Sequence, residues 1–236
     1  GETDVLRLIE EGALEDEERT GDIQWVAVKT KFFVAAMLPH VAFEGWSRKA
    51  LATGVADAGY PASMAERAFA GGLVEVADHF GDWMDRRMLA ELAAIDMDAM
   101  RVRDRIHACI KIRIQLNAAN REAMRRLMSY LALPTNAGLT ARLAWRSCSE
   151  VWYAAGDNAT DWNHYSKRGL LVPVYTATLL YWLSDPGDEA GDYPETWAFL
   201  GRRIDNVLQA FSLRKRLTDR LARVFPGFMT RQQPIR

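Results

Sequence analysis

The stretch that decides the fold runs from Gly169 to Leu183 and reads GLLVPVYTATLLYWL. It contains no charged residue, and a helix that is apolar all round has to be covered on every side. A membrane span needs about 20 apolar residues, whereas this run of 15 ends between Arg168 and Asp185. We therefore predict the central helix of an all-α domain, covered by neighbouring helices, by a lipid-sized ligand or by a second subunit. An ordinary core helix is the simpler interpretation.

A second helix precedes this run and is joined to it by a Gly-Asp-Asn turn. It is predicted over 137–155, because Gly156 is well placed to end it in the left-handed conformation. The apolar helix is predicted to begin at Thr160, a suitable N-cap, with Asp161 beside the positive helix end. Pro173 removes one backbone donor from that helix and should kink it.

The helices before this hairpin have the order of a helix-turn-helix domain. We predict a first helix over 23–44, two short helices over 48–58 and 62–70 across a tight turn at 59–61, and a longer helix over 73–92. This order resembles the N-terminal domain of the TetR regulators.

Two residues should shape the start of that domain. Ser47 follows a glycine and an aromatic residue, and is predicted to cap the first short helix. Pro39 should bend the first helix or divide it in two.

The second short helix carries few side chains that could contact the phosphates or bases of DNA. It has one basic residue, Arg67, whose charge is cancelled by Glu66. Because counterion release from phosphates drives affinity for DNA, so neutral a face predicts no binding of nucleic acid.

The remaining helices are predicted over 98–118, 122–131 and 194–211. No strand pattern occurs. The predicted fold class is therefore all-α and TetR-like, with an N-terminal helix-turn-helix-type three-helix domain and a C-terminal helical domain for ligand binding and dimerisation.

Charge is concentrated at both ends of the chain. Residues 1–22 hold nine acids and two arginines, whereas residues 212–236 hold seven bases and one acid. We divide the chain into an acidic tail (1–22), the helix-turn-helix domain (23–95), the lipid-binding and dimerisation domain (96–211) and a basic amphipathic helix with its tail (212–236).

The basic C-terminal segment is predicted to form a short amphipathic helix over 212–225. Such a helix suits the surface of an anionic membrane, and the alternative is a terminal helix packed on the domain or on a partner. The residues assigned to membrane binding are Leu213, Arg214, Leu217, Leu221, Val224 and Phe225.

Motifs for catalysis or metal binding are missing from the sequence. There is no phosphate-binding glycine loop, no nucleophile elbow and no Glu-x-x-His pair. His164 lies between Trp162 and Tyr165, where a structural histidine is a better interpretation than a catalytic base. The two cysteines, Cys109 and Cys148, lack metal spacing and indicate a reducing compartment. We predict no enzyme activity, no cofactor and no metal.

Residues 151–171 carry a resemblance to a known family. The run reads VWYAAGDNATDWNHYSKRGLL. It is similar to the signature of the COQ9-type lipid-binding accessory proteins of ubiquinone (coenzyme Q) biosynthesis. The matching elements are Trp152, Ala155-Gly156-Asp157, Thr160-Asp161-Trp162-Asn163, Tyr165 and Lys167-Arg168, with further marks at Leu133-Pro134 and in residues 195–203.

This resemblance implies a TetR-like homodimer whose helix-turn-helix domain no longer recognises DNA. It implies a non-enzymatic protein that binds isoprenoid quinone precursors and presents them to the di-iron demethoxyubiquinone hydroxylase. A C-terminal helix would meet the membrane. The location would be cytoplasmic and peripheral on the inner membrane in a bacterium, or the matrix side of the inner membrane in a mitochondrion. A TetR-type regulator that senses an apolar ligand is the alternative, followed by an uncharacterised helical enzyme.

The same resemblance suggests two sets of site residues. Residues expected to line the lipid pocket are Ile110, Ile114, Leu143, Ser147, Val151, Val172, Thr176 and Leu179. Residues expected to bind the hydroxylase are Leu133, Pro134, Trp145, Ser149, Trp152 and Tyr153. Trp152 is expected to be exposed at the centre of this second set.

Overall fold

The computed structural model describes the backbone of residues 33–156 and 162–224, and the side chains of residues 33–156 and 165–209. All regular structure in these ranges is helical, which confirms the all-α prediction. The α-helices described there are α1 (Ala35–Glu44), α2 (Arg48–Asp57), α3 (Met64–Ala68), α4 (Leu73–Leu92), α5 (Val102–Gln115), α6 (Arg121–Leu131), α7 (Ala137–Ala154), α8 (Trp162–Ser184) and α9 (Pro194–Val224). Single turns of 3-10 helix at Ala118–Asn120 and Pro134–Asn136 precede α6 and α7.

Local signals set the helix ends in the first part of the chain. Ser47 caps α2 as predicted, since its Oγ accepts a hydrogen bond from the Ala50 backbone N–H at 3.1 Å. Pro39 lies inside α1, so of the two expected outcomes, a bend or a division of the helix, the division does not occur. Proline in the second turn of a helix removes a single backbone hydrogen bond, and the buried face of α1 compensates for that loss.

The packing of α1 on α2 depends on a glycine. A Cβ atom at Gly54 of α2 would lie 2.5 Å from the backbone nitrogen of Met37 in α1. The two helices therefore approach each other more closely than any other residue at this position would allow. Helix α1 also packs against α6.

The chain forms two compact units, and each is described here by itself. The first comprises residues 1–91 and 113–147, and the second comprises residues 92–112 and 148–236. The three boundaries fall at the last residue of α4, inside α5 and inside α7. This grouping divides the chain differently from the ranges proposed in the sequence analysis, and the roles given to those ranges remain predictions.

In the second unit, α8 packs against α9. The Asp185 carboxylate after α8 accepts hydrogen bonds from the Thr196 backbone N–H at 3.1 Å and from its hydroxyl at 2.6 Å, which caps the start of α9. Arg103 of α5 donates to both oxygens of Asp205 in α9, at 2.5 and 2.9 Å. These hydrogen bonds hold the pKa of Asp205 below its usual value.

Helix α9 is longer than predicted. The sequence suggested a helix ending near Phe211 and a separate one over 212–225, whereas α9 is one helix of 31 residues to Val224. Nothing between 211 and 213 breaks a helix, since the residues there lack glycine and proline. Within the described ranges, no helix is long and apolar enough to cross a membrane.

Candidate ligand and partner surfaces

One face of α8 is open in the chain. Leu170 and Leu180 are 40% and 54% exposed, Pro173 is exposed, and Ala177 between them is half-buried. Helices of the same chain therefore cover one side of α8, and the expected covering of the other side by a ligand or a second subunit remains a prediction. The opposite face is buried and includes Leu171, Val174, Thr178, Trp182 and Leu183. We call residues 170, 173, 177 and 180 the α8 stripe; their spacing by three and four positions is that of a helix-pairing face.

Helix α8 continues through Pro173 without a break. The hydroxyl of Thr176 donates to the carbonyl oxygen of Val172 at 2.8 Å, and that of Thr178 donates to Val174 at 2.7 Å. These two hydroxyls are thus satisfied by the backbone of their own helix.

An aromatic stack lies beside this region on α8 and α9. The rings of Tyr181 and Phe199 are stacked, with centroids 4.7 Å apart and an interplanar angle of 10°. The guanidinium carbon of Arg203 lies 4.8 Å from the centroid of Phe199. Arg203 of the sequence signature therefore contacts an aromatic face.

The residues predicted to bind lipid differ in exposure. Ile110, Ile114, Ser147, Val151 and Leu179 are buried, and Leu143, Val172 and Thr176 are half-buried. Ile114, Leu143 and Ser147 belong to the first unit and the others to the second. Their assignment to one pocket remains a prediction.

Sequence reasoning missed a buried charge cluster in the first unit. Asp85 of α4 accepts hydrogen bonds from Arg113 Nε at 2.7 Å, from Arg146 Nε at 3.2 Å and from the Ser147 hydroxyl at 3.3 Å. Arg146 also donates to the side chain and the carbonyl oxygen of Asp78. Ser147 therefore contributes to an ion-pair network, and no sequence spacing signalled this pairing because Asp85 and Arg146 are 61 residues apart.

Trp152 is buried, and the prediction that it is exposed is wrong. Only 3% of its surface is accessible, whereas the neighbouring Tyr153 is 66% exposed. The face of α7 carrying Cys148, Val151 and Trp152 is turned inward. Because adjacent helix positions differ by about 100° in direction, Tyr153 points to another side.

The basic pair of the signature lies against α7. The ammonium of Lys167 is 5.5 Å from the centroid of the Trp152 ring. Arg168 is buried, and its Nε donates to the Ser149 hydroxyl at 3.2 Å. In the described structure the Nε1 of Trp152 has no hydrogen-bond partner. A buried indole N–H without an acceptor is rare and needs an explanation.

The turn after α7 follows the sequence prediction at Gly156, whose φ is +90°. The guanidinium of Arg105 donates to the carbonyl oxygen of Ala155 at 3.4 Å, so a cation stabilises this helix end. The predicted cap at Thr160 and Asp161 lies outside the described residues, as does the side chain of His164.

The other predicted partner residues vary in accessibility. Leu133 is 49% exposed, Pro134 is exposed, and Trp145 and Ser149 are half-buried.

Of the predicted membrane-binding residues, five lie in the part of α9 whose side chains are not described: Leu213, Arg214, Leu217, Leu221 and Val224. Phe225 lies outside the described residues. Among the described residues, no group of three or more His, Cys, Asp or Glu side chains is arranged to hold a metal ion.

The fold is that of the TetR class. The crystal structure of a TetR transcriptional regulator from Nitrosomonas europaea superposes with a TM-score of 0.60 and 20% identity, over 76% of this chain and 98% of that one. Residues 137–210, which contain α7 and α8, match the COQ9 family model. The resemblance predicted from the sequence is confirmed.

Individual proteins of that family are similar over most of the chain. The "Ubiquinone biosynthesis protein COQ9, mitochondrial" of Homo sapiens is 26% identical over 209 residues, or 86% of this chain and 63% of the relative. The corresponding protein of Rattus norvegicus is 28% identical over 182 residues, with 74% and 57% coverage. A "Probable ubiquinone biosynthesis protein coq9, mitochondrial" of Dictyostelium discoideum is 22% identical over 188 residues, with 77% and 60% coverage. The chain thus spans about 60% of the length of such relatives.

Proposed function

We propose that this protein acts in ubiquinone biosynthesis as a non-enzymatic lipid-binding accessory protein. It binds isoprenoid quinone precursors and presents them to the di-iron demethoxyubiquinone hydroxylase. The observation that carries the proposal is the family match over residues 137–210, because these include the signature and the apolar helix α8.

One feature of the second unit supports lipid binding. The buried N–H of Trp152 lacks an acceptor, and a quinone precursor carries oxygen atoms that accept such a hydrogen bond. We assign Trp152 Nε1 as a donor to the oxygen-bearing ring of the ligand.

Lipid extraction and mass spectrometry of the purified protein test this function. We expect an isoprenoid quinone precursor in the extract of the unaltered chain. The variant Thr176→Trp should lose it and stay folded, since filling a ligand cavity costs less than overpacking a dense core. The matched control is Ala141→Trp, which adds the same side chain at an exposed position of α7. An equal lipid load in the Thr176 variant contradicts the assigned position of the cavity.

We further propose that the α8 stripe pairs with a second copy of the chain. Leu170, Pro173 and Leu180 form an apolar line that a homodimer would bury. The adjacent Tyr181–Phe199 stack and Arg203 would extend the apolar contact with a polar margin, as in interfaces with a buried centre.

The surface that meets the hydroxylase is proposed at exposed residues of the predicted set. Tyr153 is the exposed aromatic residue there, and exposed tyrosines are common at binding hot spots. Tyr153→Ala should weaken association with the hydroxylase by about 2 kcal/mol, measured by calorimetry with both purified proteins. An unchanged affinity places that surface elsewhere.

Membrane association is proposed at the C-terminal part of α9, consistent with a peripheral protein. The named relatives are mitochondrial.

A TetR-type regulator remains the second candidate function. A measurement of DNA binding distinguishes the regulator, which would bind a specific sequence, from the accessory protein, which would not.

A further inference from the structure

The indole of Trp152 is a buried hydrogen-bond donor whose acceptor is missing from the described part of the chain. Only 3% of the residue is accessible, and its Nε1 has no hydrogen-bond partner there. Cys148 and Ala155, four residues before it and three after it, are buried as well. A donor among apolar neighbours is costly to leave unpaired and forms a strong hydrogen bond once an acceptor arrives. The position therefore suits an acceptor brought by a ligand.

A cation acts on this indole from α8. The ammonium of Lys167 lies 5.5 Å from the centroid of the Trp152 ring, which is within the range of a cation–π contact. A positive charge beside the ring draws electron density away from the N–H and makes the N–H a stronger donor. Lys167 is half-buried, so solvent screens this effect only in part.

The polar side chains beside this contact are also donors. One turn before Trp152, the hydroxyl of Ser149 accepts a hydrogen bond from Nε of the buried Arg168 at 3.2 Å. Indole, ammonium and guanidinium groups carry N–H donors and no acceptor. An oxygen that only accepts is satisfied beside such groups, whereas the hydrogen of a hydroxyl would face further donors. This end of the site therefore favours a carbonyl oxygen over a hydroxyl group.

We propose that Trp152 makes the quinone-precursor site selective for the oxidised form of the ring. Its N–H donates to a ring carbonyl, and Lys167 strengthens that donor. The hydroquinone binds more weakly, because its hydroxyl hydrogen points at the same donors. The selectivity rests on the proposed function, since it concerns the same lipid, and it adds the oxidation state in which that lipid is bound.

Calorimetric titration of the full chain with three probes tests this selectivity. The probes share a single isoprenoid unit, which keeps them soluble, and differ in the ring. They are a methoxylated benzoquinone, its hydroquinone kept anaerobic, and a methylbenzene without oxygen. The benzoquinone should bind about tenfold more tightly than the methylbenzene and a few-fold more tightly than the hydroquinone, because it alone satisfies the indole N–H without adding a donor.

Variants that remove the donor or the cation test the two assigned residues. Trp152→Phe keeps an aromatic ring and should weaken binding of the benzoquinone by about tenfold without changing that of the methylbenzene. The control is Trp83→Phe, which removes an indole from α4 and should change neither affinity. Lys167→Gln should weaken binding of the benzoquinone by a few-fold, whereas Lys167→Arg, which keeps the cation, should not.

The indole N–H also reports its own hydrogen bond. The chain has eight tryptophans, and the side-chain N–H signal that is absent from the nuclear magnetic resonance spectrum of Trp152→Phe belongs to Trp152. In the unaltered protein this proton signal should move downfield when the benzoquinone binds. It should not do so with the methylbenzene, which has no acceptor. This measurement on the unaltered protein separates the hydrogen bond from any effect of Trp152→Phe on stability.

Several results would overturn the selectivity while leaving lipid binding in place. These are equal affinities for the benzoquinone and the methylbenzene, tighter binding of the hydroquinone, and an unchanged preference in Trp152→Phe. A Trp152 signal that the benzoquinone does not move would have the same meaning. Binding of none of the three probes would instead contradict the proposed lipid binding, and the selectivity with it.

Discussion

At the scale of single residues, Trp152 shows how burial changes the meaning of a sequence signature. It is the first residue of the family pattern and is buried, whereas the neighbouring Tyr153 is exposed. The contact with Lys167 and the hydrogen bond between Arg168 and Ser149 link the two ends of the signature. Trp152, Lys167 and Arg168 of the signature therefore connect α7 with α8.

Replacing Trp152 by alanine should destabilise the protein. We expect Trp152→Ala to lower the free energy of unfolding by about 3–5 kcal/mol, because a large buried ring leaves a cavity. Tyr153→Ala is the control and should change it by less than about 0.5 kcal/mol, since its ring is mostly exposed. Urea unfolding measures both values. Equal stability of the two variants would contradict the buried position of Trp152.

The thiol of Cys109 should be unreactive in the folded protein. Burial raises the pKa of Cys109 to about 12, because desolvation disfavours the thiolate. In a Cys148→Ala background, a disulfide reagent should label Cys109 at pH 8 only after denaturation. The raised pKa also means that this group contributes stability below the unfolded pKa, near 9, which is lost as pH rises towards 12. Rapid labelling of the native protein would show that Cys109 is accessible.

At the scale of elements, α8 combines a buried and an exposed apolar face. A helix of this composition is stable only when both faces are covered. The single chain covers one of them, which leaves the α8 stripe for a ligand or a second copy.

Charges placed on the α8 stripe should separate the dimer. We expect the double variant Leu170→Glu, Leu180→Glu to sediment as one chain of 26.7 kDa, whereas the unaltered protein sediments as two chains. Burying two carboxylates in an apolar interface costs several kcal/mol, because they lose solvation. The matched control is Ile95→Glu, Val102→Glu, two exposed aliphatic residues elsewhere in the second unit. A control that dissociates equally, or a monomeric unaltered protein, would contradict this pairing face.

The length of α9 leads to a prediction for its last part. Deleting residues from Ser212 onward should abolish flotation with anionic vesicles, because it removes the basic amphipathic segment. The melting temperature should change little, since Trp197, Leu200 and Ile204, which are buried in the part of α9 with described side chains, precede the deletion. Vesicle flotation and thermal unfolding of the truncated chain check both statements. A large loss of thermal stability would show that the segment packs on the folded body.

At the scale of the whole molecule, the TetR-like fold contains a second short helix, α3, that carries no net charge. Helix α3 covers only Met64–Ala68 and carries Arg67 beside Glu66. The chain as a whole has a net charge of −1. Neither feature supplies the excess of positive charge that phosphate neutralisation requires.

Binding to duplex DNA should therefore be weak and independent of sequence. We expect a dissociation constant no tighter than roughly 10⁻⁴–10⁻⁶ M at physiological salt, the range of non-specific binding. Fluorescence anisotropy with random and promoter-derived duplexes measures it. A sequence-specific footprint at nanomolar protein would favour the regulator over the accessory protein.

What the sequence by itself determined is local. The Ser47 cap, the left-handed Gly156 and the bounds of α4, α6 and α7 follow from signals within a few residues of each helix end. The signature in residues 151–171 likewise identified the family resemblance without any knowledge of contacts. Propensity, capping and motif order act over short distances along the chain, so one sequence is sufficient to read them.

Only the tertiary structure decided which faces are covered. The burial of Trp152, the open α8 stripe and the pairing of Asp85 with Arg146 depend on residues far apart in sequence. A hydrophobic pattern states that a residue prefers burial. The partner that buries it is selected by packing among elements, which a periodicity along one helix does not encode.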